Sequence, residues 1–323
     1  MDSKQKYGQF MTTNYKHILQ NLNIPENTTK IIEPFVGQGH LLNFINDINV
    51  ESYDIDPQIE NCSKQDTLLN PLDYTDTFVL TNPPYLARNK NPDKTLYDKY
   101  NTNDLYKCFI KQLINTPCQG GILIIPLNFF CSSRGDSDEF LKMYSIVHLN
   151  VFEEQVFKDT TYTICSFQFV LSAPETSIDK YFPTTFYPTG ETKIIDFDFD
   201  LGLEKNNDVK VMRLTRENME RKNTSMLLHC IDSKNNEKIR MVFENEAYVD
   251  KTPKLSARSF ATIIIEPAIS VDRQRSLVVE FNQYLNDKRS QHHSLFLTNY
   301  RDFGRKRISF DLAYKIIKHL LKK

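Results

Sequence analysis

The tetrapeptide Asn82-Pro83-Pro84-Tyr85 groups residue types that could hold a flat, amine-bearing molecule. Asn82 brings a carboxamide, with one acceptor oxygen and two N–H donors. Pro83 and Pro84 each fix φ near −65° and lack a backbone donor. A residue before proline is pushed out of the helical region, so Asn82 is expected to be extended. Tyr85 adds an aromatic face. The group would form a stiff loop that sets an amide, a bare carbonyl and a ring at fixed positions. It could also be a plain Pro-Pro turn leaving a strand, and the surrounding sequence has to decide between the two.

Phe78 to Leu80 reads as a buried strand leading into that loop. Upstream, Lys30 to Phe35 reads as a strand, Gly37-Gln38-Gly39 as a tight turn, and His40 to Asn46 as a helix. Strand, glycine turn and helix make a nucleotide-type pocket, because glycine permits the turn and lets a ligand approach the backbone. Leu42 stands where a GxGxxG fingerprint has its third glycine, and no GK[ST] follows. The pattern therefore excludes a P-loop, disfavours a nicotinamide dinucleotide, and leaves room for a nucleoside. Val50 to Ile55 is a second strand that ends in Asp54-Ile55-Asp56-Pro57. An acidic residue there could take a ribose diol, or be an acidic turn before proline. Asp66, after a short helical segment, is another acidic strand end.

Further along, residues 88–101 are polar and rich in breakers, which predicts a mobile loop. Leu105, Phe109 and Leu113 share one face of a helix over Leu105 to Ile114. Gly120-Gly121 is expected to end the connection to a fully buried strand, Ile122 to Ile125. Residues 136–144 read as helix, and Ile146 to Val151 and Tyr162 to Leu171 as strands around a turn at Phe157 to Thr161. Near the start, an arm over residues 4–13 precedes a helix from Asn14 to Leu22. The alternation predicts an α/β fold, Rossmann-like, with an open and mainly parallel sheet.

After about Ala173 the periodicity weakens. Residues 1–172 read as one domain and 173–323 as a second region of mixed α+β character. Residues 298–309, TNYRDFGRKRIS, are basic and aromatic, and are either a nucleic-acid clamp or a solvated loop. Phe310 to Lys323 reads as an amphipathic helix, a candidate to pack back on the first domain. The net charge of −1 gives no global basic signal, so any nucleic-acid contact must come from a local patch. The polar start is not a signal peptide, and no apolar run is long enough for a bilayer. Six cysteines without a CxxC pair argue for reduced thiols in a cytoplasmic protein and against a metal site.

Several ordered motifs together resemble a known family, the S-adenosylmethionine-dependent DNA adenine-N6 methyltransferases of type II restriction–modification systems, in their γ arrangement. They are Gly8-Gln9-Phe10-Met11-Thr12-Thr13, Glu33-Pro34-Phe35-Val36-Gly37-Gln38-Gly39, Asp54-Ile55-Asp56-Pro57, Asp66, Asn82-Pro83-Pro84-Tyr85, Leu105-Tyr106, Gly120-Gly121 and Phe157-Lys158-Asp159-Thr160. The resemblance covers about residues 4–172, and Thr13 stands where the family usually has proline. It implies that the Asn82 side-chain oxygen and the Pro83 carbonyl accept the two N6 hydrogens of a flipped adenine. Pro84 would keep the loop rigid, and Tyr85 and Phe157 would stack on the base. Cofactor binding would fall to Thr12, Glu33, Phe35, Gly37, Gly39, Asp54, Asp66 and Asn82. For Phe10 and Phe35, pocket wall and simple core remain open, and Tyr106 reads as core.

The second half would be the target-recognition domain, with Arg301, Arg305, Lys306 and Arg307 as candidate phosphate contacts. The expected partners are double-stranded DNA and a cognate restriction endonuclease, the latter in function rather than in contact, with the methyltransferase acting as a monomer. Protein-glutamine methyltransferases share the Asn-Pro-Pro-Tyr motif and are the enzymatic alternative. A non-catalytic methyltransferase-like DNA-binding subunit is the other.

Overall fold

A computed structural model describes residues 8–131, 137–173, 180–233, 237–243, 259–299 and 304–322. The chain forms two compact units. The first comprises Met1–Phe130 with Gly135–Asp196, and the second Cys131–Arg134 with Phe197–Lys323.

In the first unit, nine strands make one sheet. They are β1 (Lys30–Glu33), β2 (Asn49–Asp54), β3 (Ser63–Lys64), β4 (Phe78–Thr81), β5 (Gly120–Pro126), β6 (Tyr144–Phe152), β7 (Ile164–Leu171), β8 (Tyr181–Tyr187) and β9 (Glu191–Asp196). Their order is β3-β2-β1-β4-β5-β7-β6-β8-β9. β3, β2, β1, β4 and β5 all run parallel, and β7 lies antiparallel between β5 and β6. The apolar runs dictate this placement. Ile31, Ile32, Val79, Leu80 and Ile122 to Ile125 are all at most 1% exposed. Strands apolar on both faces belong at the centre of a sheet covered on both sides. The parallel run puts the carboxyl ends of β1, β2 and β4 along one edge, where sheets of this kind carry their ligand sites.

Four helices accompany the described part of this unit: α1 (Tyr15–Ile18), α2 (Thr95–Tyr100), α3 (Leu105–Asn115) and α4 (Asp138–Leu141). Only α3 matches its expected length. The helix expected over Asn14 to Leu22 is one turn, ending at Ile18 before Asn21 takes a left-handed φ of +63°, and the Asn14 side chain donates to the Val156 carbonyl (2.9 Å) instead of capping it. The helix after the glycine turn is a short 3-10 segment, His40–Phe44. No helix precedes Asp66; turns and the two-residue β3 do. The stretch 88–101, expected to be a mobile loop, contains α2, pinned by the buried rings of Tyr97 and Tyr100.

Gly120 and Gly121 begin β5 rather than ending a connection. A Cβ on Gly121 would lie 2.4 Å from the Val79 carbonyl oxygen, and one on Gly120 2.6 Å from that of Phe169. The glycine pair therefore serves close strand packing, not a turn. The first unit also extends past residue 172, because the β8–β9 hairpin joins its sheet through β6.

The second unit carries β10 (Lys210–Arg213), β11 (Met226–His229), β12 (Arg240–Phe243) and β13 (Phe260–Glu266), antiparallel in the order β10-β13-β11-β12. β14 (Thr298–Asn299) pairs with β15 (Lys306–Arg307). α5 (Val271–Gln291) packs on β12, and α6 (Phe310–Leu320) packs on α5 and β10. The last helix thus finds its partners inside this unit. Both helices have a serine N-cap: Ser270 accepts from the Arg273 amide and Ser309 from that of Leu312.

Candidate active site

β4 ends at Thr81, and the Asn-Pro-Pro-Tyr loop starts at the next residue. The Asn82 amide nitrogen donates to the Phe10 carbonyl (2.8 Å) and to Thr12 Oγ1 (3.0 Å). Its oxygen accepts from the Tyr85 hydroxyl, which also reaches the Ile124 carbonyl (2.6 Å) at the neighbouring β5. The two ends of the amide are thereby told apart. The nitrogen faces the N-terminal arm and the oxygen faces the phenol.

The arm itself is docked by its backbone. The Tyr85 amide donates to the Gly8 carbonyl (2.9 Å), and a Cβ on Gly8 would sit 2.6 Å from the Tyr85 carbonyl oxygen. With φ at +68°, Gly8 also adopts a conformation that side chains resist. Farther on, Asn14 ties the arm to the loop that carries Phe157. Gln155 organises that loop by donating to the carbonyls of Phe157 (3.0 Å) and Lys158 (3.2 Å). The arm therefore bridges two loops that the sequence puts far apart.

At the end of β1, Gly37 and Gly39 have φ of +53° and +76°. The Gly37 amide donates to Asp54 Oδ2 (2.8 Å), and the Asp56 amide to Asp54 Oδ1 (2.9 Å). Asp54, only 4% exposed, thus fastens the glycine turn to the end of β2. Asp66 Oδ1 accepts from the amides of Leu68 (3.1 Å) and Leu69 (3.0 Å). The adjacent Thr67 hydroxyl donates to the Pro34 carbonyl (3.0 Å), which brings this segment to the β1 end.

Glu33 is 1% exposed. It accepts from the Thr81 hydroxyl (2.5 Å) and the Phe35 amide (3.1 Å), so it joins the glycine turn to β4. Burial raises its carboxyl to about 8, against the lowering effect of those two hydrogen bonds, and the nearby Asp54 adds to the rise. Burial also holds the Tyr85 phenol well above its usual range, so it stays a neutral donor.

The structure brings Thr12, Asn82 and Tyr85 together, and links Glu33, Phe35 and Gly37 through β1 and Asp54. Phe35 is half-buried and rests edge-on against Phe109 (5.1 Å), which leaves it placed for either a pocket wall or the core. Tyr106 is buried and meets Tyr85 edge-on (6.0 Å). Tyr85 and Phe157 do not present open faces, for each is 4% exposed, and Phe10 is in ring contact with both. Thr81, Gln155 and the Ile124 carbonyl were not singled out from sequence. Thr81 had a signal, a hydroxyl directly before the loop, whereas the other two act through partners distant in the chain.

In the second unit, Arg301 and its neighbours Tyr300 and Phe303 lie outside the described residues. Lys306, a candidate phosphate contact from sequence, is buried rather than presented on the surface. It is 2% exposed and its ammonium donates to Asn299 Oδ1 (2.6 Å). The Arg305 Nε donates to the Asp232 carbonyl (2.7 Å), and Arg307 is half-buried. Asp232 itself holds Arg289 in a two-bond pair (2.7 and 2.8 Å). Among the described residues, no cluster of three or more His, Cys, Asp or Glu side chains is placed to hold a metal, and no helix is long and apolar enough to cross a membrane.

The glycine turn, the two acidic strand ends and the Asn-Pro-Pro-Tyr loop all lie within one matched stretch. Residues 9–157 match the Eco57I restriction-modification methylase family. The Eco57I match covers less than half of the 323-residue chain and none of the second unit beyond Cys131–Arg134.

No curated protein matches the chain. Among solved structures, a Listeria monocytogenes protein described as a class I S-adenosylmethionine-dependent methyltransferase aligns over 53% of this chain and 61% of its own, at 17% identity and a TM-score of 0.40. A modification subunit assigned to a type I restriction enzyme of Vibrio vulnificus aligns over 59% and 49%, at 16% identity and 0.41. The methyltransferase subunit of a type I restriction–modification system of Streptococcus thermophilus aligns over 55% and 48%, at 16% identity and 0.39. The chain thus spans about half to three fifths of the length of these proteins.

Proposed function

We propose that this protein transfers a methyl group from S-adenosylmethionine to N6 of an adenine flipped out of duplex DNA, as the protective half of a restriction–modification pair. The observation that carries the reading is the locked Asn82 amide. Its nitrogen is committed to Phe10 and Thr12, so its oxygen is the end available to an incoming amine. The family match over residues 9–157 supports the same reaction class.

The residues present fit the cofactor. The Gly37–Gly39 turn runs close to its neighbours, with no side chain of its own in the way: a Cβ on Gly39 would come 3.2 Å from Ile59 Cδ1 and one on Gly37 3.5 Å from Met11 Sδ. Each Asp54 oxygen accepts one backbone N–H and keeps a second lone pair, suited to ribose hydroxyls. Asp66, beside the β1 end, would take the adenine amine of the cofactor. When bound, S-adenosylmethionine supplies an electrophilic methyl group on sulfur.

The chain's own residues do the rest. Adenine N6 is a weak nucleophile because its lone pair is delocalised into the ring. Asn82 Oδ1 and the Pro83 carbonyl would accept its two hydrogens and favour a pyramidal nitrogen. Rate enhancement then comes from position and electrostatics rather than from a strong base. Flipping the base costs on the order of a few kcal/mol, offset by an aromatic pocket. The second unit would supply target recognition, with Arg305, Arg307 and Arg301 as phosphate contacts and Lys306 withdrawn from that role.

The test is expression in cells that lack adenine methylation, followed by sequencing that reads modified bases. Methylated adenine within one short motif, absent with Asn82→Ala, is the expected result. Unmodified DNA, with methyl label found on a protein glutamine instead, would overturn it.

A further inference from the structure

The pocket that should stack on the target base already contains a ring. Phe10 lies on Tyr85 with ring centroids 5.0 Å apart and planes 27° apart, a stacked pair. It also meets Phe157 at 6.0 Å and 35°. Tyr85 and Phe157 are each 4% exposed, while Phe10 itself is half-buried. The second requirement of a bound adenine, a hydrogen for Asn82 Oδ1, is met by the Tyr85 hydroxyl.

We propose that Phe10 is an internal stand-in for the target base: its ring fills the stacking position, and a flipped base must displace it. The inference rests on the base-flipping reading above and extends it. Physical chemistry makes the exchange close to balanced. An aromatic slot left empty would forfeit the contacts of its walls. Phe10 supplies the flat apolar face but has no N–H, so Tyr85 supplies the hydrogen.

The Tyr85 hydroxyl has one proton and two acceptors, Asn82 Oδ1 and the Ile124 carbonyl. When a base amine takes the Asn82 oxygen, the hydroxyl keeps the Ile124 carbonyl, and no buried donor is orphaned. The arm's anchors involve backbone or other side chains: the Gly8 and Phe10 carbonyls, and the Thr12 hydroxyl. The Phe10 ring can therefore swing out while the arm stays docked.

The chain has no tryptophan, so Phe10→Trp introduces a single indole at this position. The probe is duplex DNA that the unsubstituted protein methylates, with S-adenosylhomocysteine present. The control is an adenine-free duplex, poly(dG)·poly(dC). Substrate DNA should shift the indole emission to the red as the ring moves into water, and the adenine-free duplex should leave it unchanged.

No shift on substrate DNA, from a variant that still methylates it, overturns the stand-in. So does an equal shift with both duplexes, which would report arm movement on binding rather than displacement by a base. Phe10→Ala gives an independent reading. Removing the competitor should lower the KM for DNA by about 2- to 10-fold, the scale of one aromatic pair. A raised KM would make Phe10 a wall of the pocket and overturn the proposal. If the unsubstituted protein methylates no DNA, the base-flipping reading fails first and takes this inference with it.

Discussion

The two units bury polar groups for opposite ends. In the second, Asp232 sits at the centre of a saturated network. Its two oxygens accept both Arg289 nitrogens and the amides of Ile239 (2.9 Å) and Lys306 (3.0 Å). Each carboxylate oxygen accepts two fixed donors, one from Arg289 on α5 and one from a backbone amide elsewhere in the chain. In the first unit, the Asn82 oxygen is satisfied by one shared hydroxyl proton, a partner that can be exchanged. A saturated buried centre holds a fold in one arrangement, while an exchangeable one can receive a ligand without stranding a donor. The difference separates a polar cluster locked by the fold from one with a partner to exchange.

The largest effect should come from breaking the saturated centre. Arg289→Ala leaves the Asp232 carboxylate buried and uncompensated, and should cost about 3–5 kcal/mol. Denaturant unfolding checks this. If the loss is below about 1 kcal/mol, the cluster is not the anchor of the second unit. Burial alone would raise the Asp232 carboxyl, but the Arg289 guanidinium and the two amides outweigh it and hold it below the usual range. This contribution is therefore present above the ordinary carboxylate pKa and should fade as pH falls through the lowered one.

Asn82→Ala tests the exchangeable centre. Turnover should fall on the order of 10²- to 10³-fold, the scale of one lost transition-state hydrogen-bond partner. Cofactor affinity should fall far less than turnover, and the unfolding midpoint should barely move, because the Tyr85 hydroxyl keeps the Ile124 carbonyl when the Asn82 oxygen is lost. Isothermal calorimetry and melting on the same preparation measure both. A large drop in stability would make Asn82 as structural as Asp232 and erase the contrast.

Glu33, in the first unit, is buried as Asp232 is, but its carboxyl shifts in the opposite direction. Its folded carboxyl is raised to about 8 from an ordinary 4.5. The folded state then binds a proton that the unfolded state releases, so stability should be fully present below about 4.5 and decline as pH rises toward 8. Glu33→Gln keeps an oxygen for Thr81 and the Phe35 amide but cannot ionise. The variant should gain on the order of a few kcal/mol over the native protein at the alkaline end, and its stability should be flatter with pH. Parallel pH-dependent profiles would show that Glu33 ionises freely in the folded state.

These contrasts also explain what the sequence disclosed. β1, the glycine turn, Asp54 and the Asn-Pro-Pro-Tyr loop at the end of β4 were legible because each couples an apolar run to a breaker over a few residues. α5 was not. Its buried stripe includes Gln274 and Arg289, so it lacks a clean apolar period. The β8–β9 hairpin was hidden by Pro183, Thr184 and Thr185 inside β8, residues that read as loop until β6 pairs with them. Lys306 looked like surface charge because what buries it is tertiary: its backbone amide is fixed by Asp232, 74 positions away, and its ammonium by Asn299 on the paired strand. The Asp54 and Glu33 carboxylates were found by type, but their ties to Gly37 and Thr81 depend on strand pairing. Local chemistry is written locally, and saturation of a buried polar group is not.

The smallest effect bears on the surface of the second unit, and it separates neighbours in one basic run. Arg305 is half-exposed and its Nε donates to the Asp232 carbonyl, whereas Lys306 is buried against Asn299. If the run contacts phosphates, Arg305→Gln should weaken DNA binding evenly across sequences and reduce the slope of log K against log salt by about 1. Lys306→Gln should leave the slope unchanged and lower stability instead, since it disturbs a buried charged group rather than a solvated one. Filter binding across a salt series, with unfolding on the same variants, distinguishes the two. A slope change at Lys306 equal to that at Arg305 would mean that the strand pair β14–β15 opens on DNA. The second unit's polar interior would then be as exchangeable as the first's.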